Sequence, residues 1–156
     1  MTLVIAVVAI IVTVASYLTW LAGRLDRLAI RVEAAAAALD AQLVRRAAIT
    51  HDRAVGPEHA GLRAAALAAM DESVAAEDRA ALESELSRAL RGAPEIAGID
   101  EVAIAARKVT LARQFHNDAV RDLLALRGTW LVRVLHLYGR ARAPAYVEFD
   151  ADELVP

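Results

Sequence analysis

The chain has 156 residues, 58% of them hydrophobic and 24% charged, with a formal net charge of −2 at pH 7 and no cysteine. The lack of cysteine excludes disulfides, thiolate metal sites and cysteine nucleophiles. Beyond the first 23 residues Ala, Leu, Arg and Glu dominate, and Gly and Pro appear singly between longer segments. This composition predicts helices throughout the chain.

The N-terminus is an apolar segment. Residues 3–22 contain no ionisable side chain except Tyr17, and the first charged side chain is Arg24. Twenty helical residues are about 30 Å long, which is the thickness of the hydrocarbon core of a bilayer. A cleaved signal peptide would carry basic residues before a shorter apolar run. The sequence therefore predicts an uncleaved transmembrane anchor over residues 1–23.

Basic side chains follow the anchor and none precedes it. Arg24, Arg27 and Arg31 lie just after it, with Arg45 and Arg46 further along. The flank richer in Lys and Arg normally stays in the cytoplasm. We therefore expect a single-pass protein of the cell membrane, with its N-terminus outside and its helical domain in the cytoplasm.

An apolar stripe continues beyond the anchor. Since no proline interrupts the chain before Pro57, we expect the anchor helix to continue past Gly23. The stripe repeats about every 3.67 residues, which predicts a nearly straight helix rather than a left-handed coiled coil. Gly56-Pro57-Glu58 is typical of the end of one helix and the start of the next. The stripe consists of Leu25, Leu28, Val32, Ala36, Leu39, Leu43 and Ala47.

Three further stripes follow at helical spacing. Residues 71–78 are acidic and are either a break or a solvated turn of one longer helix. Gly92-Ala93-Pro94 is expected to end a helix, and the last long helix is expected to run from near Asp100 to Gly128. The stripes are Leu62, Ala66, Ala69 and Met70; Leu82, Leu86, Ala89 and Leu90; and Val102, Ala105, Val109, Ala112, His116, Ala119, Leu123 and Leu126.

Charge is distributed unevenly between these segments. Residues 71–101 hold nine acids against three bases, whereas residues 105–142 hold eight bases against two acids. Two interpretations follow: oppositely charged helices that attract each other within one bundle, or a basic helix that lies on anionic lipid or nucleic acid. We favour the first, because the opposite charges balance within the chain.

The C-terminal part begins with an apolar decapeptide, residues 129–138 (TWLVRVLHLY), which is too short to span a bilayer. We favour a short helix that packs across the end of the bundle. The alternative is an interfacial helix with Trp130 and Tyr138 at the level of the headgroups and Arg140 and Arg142 on phosphates. Residues 140–156 are predicted to form an extended acidic tail.

No arrangement typical of catalysis or metal binding emerges. The four histidines lack metal-ligand spacing, the Glu-x-x-His pairs of di-iron bundles are absent, and no glycine-rich phosphate loop occurs. The arginines are spread along helices with few aromatic residues between them, so no nucleic-acid-binding module is expected. We predict no catalytic residue, no cofactor and no metal. The histidines are His51, His59, His116 and His136.

Four segments carry a resemblance to a known family. Residues 112–122 (ARQFHNDAVRD) resemble the signature of the LemA family, Ala-Arg-x-aromatic-aromatic-Asn-acid-Ala-Val-x-acid. Residues 39–46 (LDAQLVRR), 135–139 (LHLYG) and 143–148 (APAYVE) are similar to other segments of that family, in the same order. His116 stands where tyrosine is usual. The resemblance implies a membrane-anchored helical bundle without established enzymatic activity, here a short, divergent member of actinobacterial type.

Arg45, Arg46 and Asn117 lie in these segments and are candidates for locking the bundle or for contacting a partner. Adjacent helical residues point about 100° apart, so at most one of the two arginines can face the bundle. In a structural role, Arg46 would reach Asp118 or Asp122 and Asn117 would hydrogen-bond at a helix–helix contact. If both are exposed, the arginines form a basic spot for a partner. We favour the structural roles.

The predicted fold is all-α, with the single transmembrane helix continuing into an antiparallel three- to four-helix bundle over residues 24–139. The predicted function is that of a non-enzymatic, membrane-anchored scaffold or interaction protein of LemA type. Its partners would be the lipid bilayer and a membrane protein or a second copy, without nucleic acid. The alternatives are a protein that senses or remodels anionic lipids and, less favoured, an enzyme acting on a membrane-bound substrate.

Overall fold

The protein is all-helical in the part of the chain that the structure, a computed structural model, describes. This part comprises residues 1–71, 76–129, 132, 146 and 147, with the backbone alone at 76 and 77. No strand occurs in these ranges, as the composition predicts. The elements are helix α1 (Thr2–Arg53), a 3₁₀ turn (Pro57–His59), helix α2 (Ala60–Ala69), helix α3 (Ala76–Arg91), helix α4 (Pro94–Ala97) and helix α5 (Asp100–Arg127).

Helix α1 has 52 residues and passes through Gly23 without a break, as predicted. The chain reverses at Gly56, whose φ of 105° lies in a region that side chains with a Cβ rarely adopt. Pro57 then starts the 3₁₀ turn that leads into α2, since its fixed φ suits the first position of a helix. The break and the proline were predicted, whereas the 3₁₀ turn was not.

Glycine or proline marks the ends near Gly92, Pro94 and Gly128, whereas α2 ends without either. Helix α2 ends at Ala69 and the chain leaves the helical conformation at Asp71, so the acidic region begins with a break rather than a continued helix. Pro94 starts the short helix α4, which the sequence did not predict. Helix α5 begins at Asp100 and ends just before Gly128, as predicted.

The contacts divide the chain into two compact units. The first, called the anchor unit, comprises Met1–Ala34 and Asp118–Ala145. The second, called the core unit, comprises Ala35–Asn117 and Tyr146–Pro156.

The anchor unit begins with a helical segment long and apolar enough to cross a membrane, and no other helix among the described residues has this property. None of its most apolar window is buried, and Leu3 is 77% exposed. The Thr13 and Thr19 hydroxyls donate to the carbonyl oxygens four residues earlier, at 2.8 and 2.9 Å. These hydroxyls are therefore satisfied within the helix, as a lipid environment requires.

Aromatic and charged side chains meet at the end of this apolar segment. The rings of Tyr17 and Trp20 lie 5.9 Å apart, and the Arg24 guanidinium lies 5.7 Å from the Trp20 ring. Such a group of aromatic and cationic side chains is typical of the membrane–water interface. Further along the same unit, Arg31 forms an exposed ion pair with Asp122 at 3.7 Å.

The core unit has a hydrophobic core built by residues from α1 through α5. Leu39, Leu43 and Val109 form a second, smaller buried cluster in the same unit. The predicted stripes supply most of these residues, but Ala36 is exposed, which corrects its placement in the first stripe. The main cluster consists of Ala47, Ala54, Leu62, Ala66, Ala69, Leu86, Leu90, Ala93, Ile96 and Val102.

Candidate functional site

Two charged side chains, Arg46 and Glu83, are buried among the described residues of the core unit. Arg46 on α1 is 1% exposed and Glu83 on α3 is not exposed at all. Buried Thr50 on α1 and buried Ser87 on α3 lie on the same helix faces, because each is four residues from its charged neighbour. We call Arg46, Thr50, Glu83 and Ser87 the polar cluster.

The polar cluster is held by an arginine–carboxylate pair. The Arg46 Nη2 donates to Glu83 Oε2 and lies 3.5 Å from the Ser87 hydroxyl oxygen. At the partly exposed edge of the same helices, Arg79 Nη1 on α3 lies 3.2 Å from Asp40 Oδ1 on α1. The two ion pairs have opposite polarity, since α1 supplies the cation to one and the anion to the other.

The buried position of Glu83 affects its protonation. Burial raises the pKa of its carboxyl above the ordinary value of 4.5, and Arg46 and then Arg79 act in the opposite direction. Three buried atoms of the polar cluster have no hydrogen-bond partner among the described residues: Arg46 Nε, Thr50 Oγ1 and Glu83 Oε1. Leaving such atoms unpaired costs free energy, so the cluster is less favourable than its one strong pair suggests.

The two adjacent arginines have different environments, as their 100° separation predicts. Arg46 is buried, whereas Arg45 is exposed. Arg46 pairs with Glu83 and not with Asp118 or Asp122, the two partners considered for it from the sequence. Asp118 instead accepts a hydrogen bond from Arg121 at 2.9 Å. The arrangement favours the structural role for Arg46 and leaves Arg45 free to contact solvent.

Asn117 on α5 binds backbone rather than another helix. Its Oδ1 accepts a hydrogen bond from the Val147 N–H at 3.1 Å, and its Nδ2 donates to the Val147 carbonyl oxygen at 3.3 Å. The Val147 side chain packs against the Leu39, Leu43 and Val109 cluster. The expected contact between helices is thus replaced by one with a non-helical residue thirty positions further along the chain.

His116 lies on the buried face of α5, where the stripe placed it, and is 5% exposed. Its Nδ1 has no hydrogen-bond partner among the described residues. His59 Nε2 lies 3.7 Å from Glu95 Oε1, and His51 Nδ1 lies 3.3 Å from its neighbour Asp52. No group of three or more His, Cys, Asp or Glu residues is arranged to hold a metal ion among the described residues.

One side of α5 carries large exposed apolar side chains. Ile104, Leu111 and Phe115 are 49%, 50% and 61% exposed. Their spacing of seven and four residues places them on one line of the helix, opposite its buried stripe. We call these three residues the α5 ridge. Exposed Arg107 and Lys108 flank it, so an apolar contact surface with a cationic border results.

The candidate lipid interface of Trp130, Tyr138, Arg140 and Arg142 lies outside the described residues, and so does His136.

Sequence reasoning missed Glu83. Its signal was available, because Glu83, Leu86, Ser87 and Leu90 follow the i, i+3, i+4, i+7 spacing of a buried helix face. A carboxylate at a core-facing position needs a buried partner. Arg46 is also at a core-facing position, three residues after Leu43 and four before Thr50 on the buried face of α1.

Comparison of the chain with protein-family models, with curated proteins and with solved structures gives no match.

Proposed function

We propose that the protein is a non-enzymatic, membrane-anchored helical scaffold of LemA type that acts through protein contacts. Residues 1–23 are the anchor, residues 24–139 form the helical domain in the cytoplasm, and residues 140–156 are a tail. The exposed apolar segment that opens α1 carries this proposal. Its side chains have no protein cover, although the same helix continues into a packed unit with buried charges.

An antiparallel bundle of three to four helices is the proposed arrangement of the helical domain. Three ion pairs support it. Arg53 near the end of α1 pairs with Glu101 at the start of α5, with Arg53 Nε 2.9 Å from Glu101 Oε2, which fits antiparallel helices. In the pairs Asp40–Arg79 and Arg46–Glu83, the later residue of α1 meets the later residue of α3, so these two helices run in the same direction. This fits an up-down-up order in which α2 returns between them.

The α5 ridge supports the interaction role. Three large apolar side chains in a row, each about half exposed, cost free energy in water unless a partner covers them. The cationic border fits a partner helix whose apolar face is flanked by acids. Among the described residues, the two buried charges, Arg46 and Glu83, pair with each other.

The anchor and its topology can be tested with cysteine labelling, because the chain has no native cysteine. A Thr2→Cys variant should react with a membrane-impermeant maleimide in intact cells, whereas Ala60→Cys should react only after lysis. Both variants should resist carbonate extraction. Release of the full chain into the carbonate supernatant would contradict the proposal at its first step.

The interaction role can be tested by affinity capture of the full chain from membranes in mild detergent. We expect a stoichiometric protein partner or a homo-oligomer, lost with Leu111→Ser/Phe115→Ser and retained with the control Gln114→Ser, an exposed polar residue beside the ridge whose replacement leaves the apolar surface intact. Clean monomers of the wild-type chain would refute the proposed role.

The second candidate is a contact of the α5 ridge with anionic lipid, because an apolar line with a cationic border is also typical of interfacial helices. A fragment of residues 24–156 should then bind anionic vesicles, and added salt should weaken the binding strongly. Absence of binding at low salt would exclude this candidate.

A further inference from the structure

Asn117 presents both atoms of its side-chain amide to both backbone groups of one residue. The amide accepts from the Val147 N–H and donates to the Val147 carbonyl oxygen, at 3.1 and 3.3 Å. This is the hydrogen-bond pattern that a neighbouring strand would offer. A helix cannot offer it from its own backbone, because its interior N–H and C=O groups are bonded within the helix.

The rest of the site selects an apolar side chain. Val147 packs against Leu39, Leu43 and Val109, which are 4%, 4% and 0% exposed. Two backbone hydrogen bonds and one apolar position are the elements by which domains recognise extended peptides. We call Asn117 with these three apolar residues the Asn117 site.

The connection between the site and its ligand is long. Between the end of α5 and Tyr146, Val132 is helical and not exposed, so the connection is counted from there: residues 133–145, thirteen residues, span up to about 45 Å when extended. This reach exceeds the diameter of a helix, about 10–12 Å, several times. The covalent connection therefore permits Val147 of one copy to reach the Asn117 site of a neighbouring copy in the same membrane.

We propose that the Asn117 site is a receptor for an extended polypeptide segment, and that neighbouring copies exchange their Tyr146–Val147 segments through it. The Tyr146–Val147 segment of a second copy fits the Asn117 site, because it can make the same contacts that Val147 makes within one chain. The tail after Val147 carries Glu148, Asp150 and Asp152, whereas α5 carries exposed Arg107 and Lys108, and this attraction acts on the segment of a second copy as it does within one chain. The inference rests on the proposed membrane anchoring, which confines copies to one plane.

The lack of native cysteine makes disulfide trapping a direct test. Two full-length chains with different tags, Ala112→Cys and Val147→Cys, are expressed together and oxidised in membranes. Ala112 packs against the same cluster as Val147. We expect a disulfide between the two tags. Adding Asn117→Ala to the Ala112→Cys chain should lower its yield about tenfold, because two hydrogen bonds are lost.

Gln114→Cys is the matched control, because Gln114 is exposed on the side of α5 that lies opposite Ala112. Equal trapping at positions 112 and 114 would overturn the proposal. So would a single chain with both Ala112→Cys and Val147→Cys that closes on itself while the mixed chains give no disulfide. If the chains then still resist carbonate and still capture a partner through the α5 ridge, the exchange alone fails and the proposed function stands.

Discussion

Removing one member of the Arg46–Glu83 pair should destabilise the core unit strongly. With Glu83→Ala, the guanidinium of Arg46 stays buried and cannot lose its proton, and Ser87 at 3.5 Å is a weak substitute partner. Uncompensated buried charges cost about 3–5 kcal/mol. Whole domains are stable by only about 5–15 kcal/mol, so this variant should lose a large part of its free energy of unfolding.

Arg46→Ala should cost less than Glu83→Ala at low pH. Burial already raises the pKa of Glu83, so without Arg46 its carboxyl can become neutral, whereas a lone arginine cannot. Replacing both residues by apolar ones, as in Arg46→Met/Glu83→Leu, should be close to neutral, since no charge then remains in the core. The three variants therefore have a predicted order of stability, not merely a common direction.

The assay is denaturant unfolding of the full chain in detergent, followed by far-ultraviolet circular dichroism. The controls are the neighbouring exposed residues, Arg45→Ala and Glu85→Ala, which should each change the free energy of unfolding by less than about 0.5 kcal/mol. If Glu83→Ala unfolds like Glu85→Ala, the pair is not buried and the packing of α1 with α3 described above is wrong.

Three further predictions concern other features of the chain. Because burial raises the pKa of Glu83, the folded state holds the proton of this carboxyl more tightly than the unfolded chain does. The free energy of unfolding of the wild type, relative to that of Glu83→Gln, should therefore fall as pH rises from about 4.5 to the pKa of the folded state. A rise over this interval in denaturant titrations would contradict the prediction. Gly56→Ala should cost about 1–3 kcal/mol in the same assay because of its positive φ, whereas Gly61→Ala, in α2 with open space around it, should stabilise by up to about 1 kcal/mol. Val8→Arg/Ile11→Arg should cost about 5–7 kcal/mol of insertion and release the chain into a carbonate wash, unlike Ala34→Arg/Ala37→Arg beyond the anchor.

The helices could be predicted from the sequence because their signals are local. Pro57, Pro94 and Gly128 mark ends that neighbouring residues alone determine, and the stripe of α5 follows from its 3.6-residue period. Ala36 was misplaced, since alanine is nearly as compatible with a surface as with a core. Periodicity therefore predicted the burial of large side chains more accurately than the burial of small ones.

The partners of the buried polar groups could not be predicted in the same way. Glu83 lies 37 residues from Arg46, and Val147 lies 30 residues from Asn117. Which acid or backbone group meets a given side chain depends on how helices are placed in three dimensions, and no local spacing encodes this. The sequence favoured structural roles for Arg46 and Asn117, but it did not identify the groups that they contact.

The pair also bears on how the helices find a single register. Five of the ten residues of the main core cluster are alanine, and small uniform side chains oppose a slide of one helix along another only weakly. A slide of one turn, about 5.4 Å, would separate both Arg46 from Glu83 and Asp40 from Arg79. Polar groups at single core positions are known to fix register at a cost in stability. We therefore expect Arg46→Met/Glu83→Leu to keep its free energy of unfolding but to show broadened amide resonances from α1 and α3. Resonances as sharp as those of the wild type would mean that the apolar residues fix the register instead.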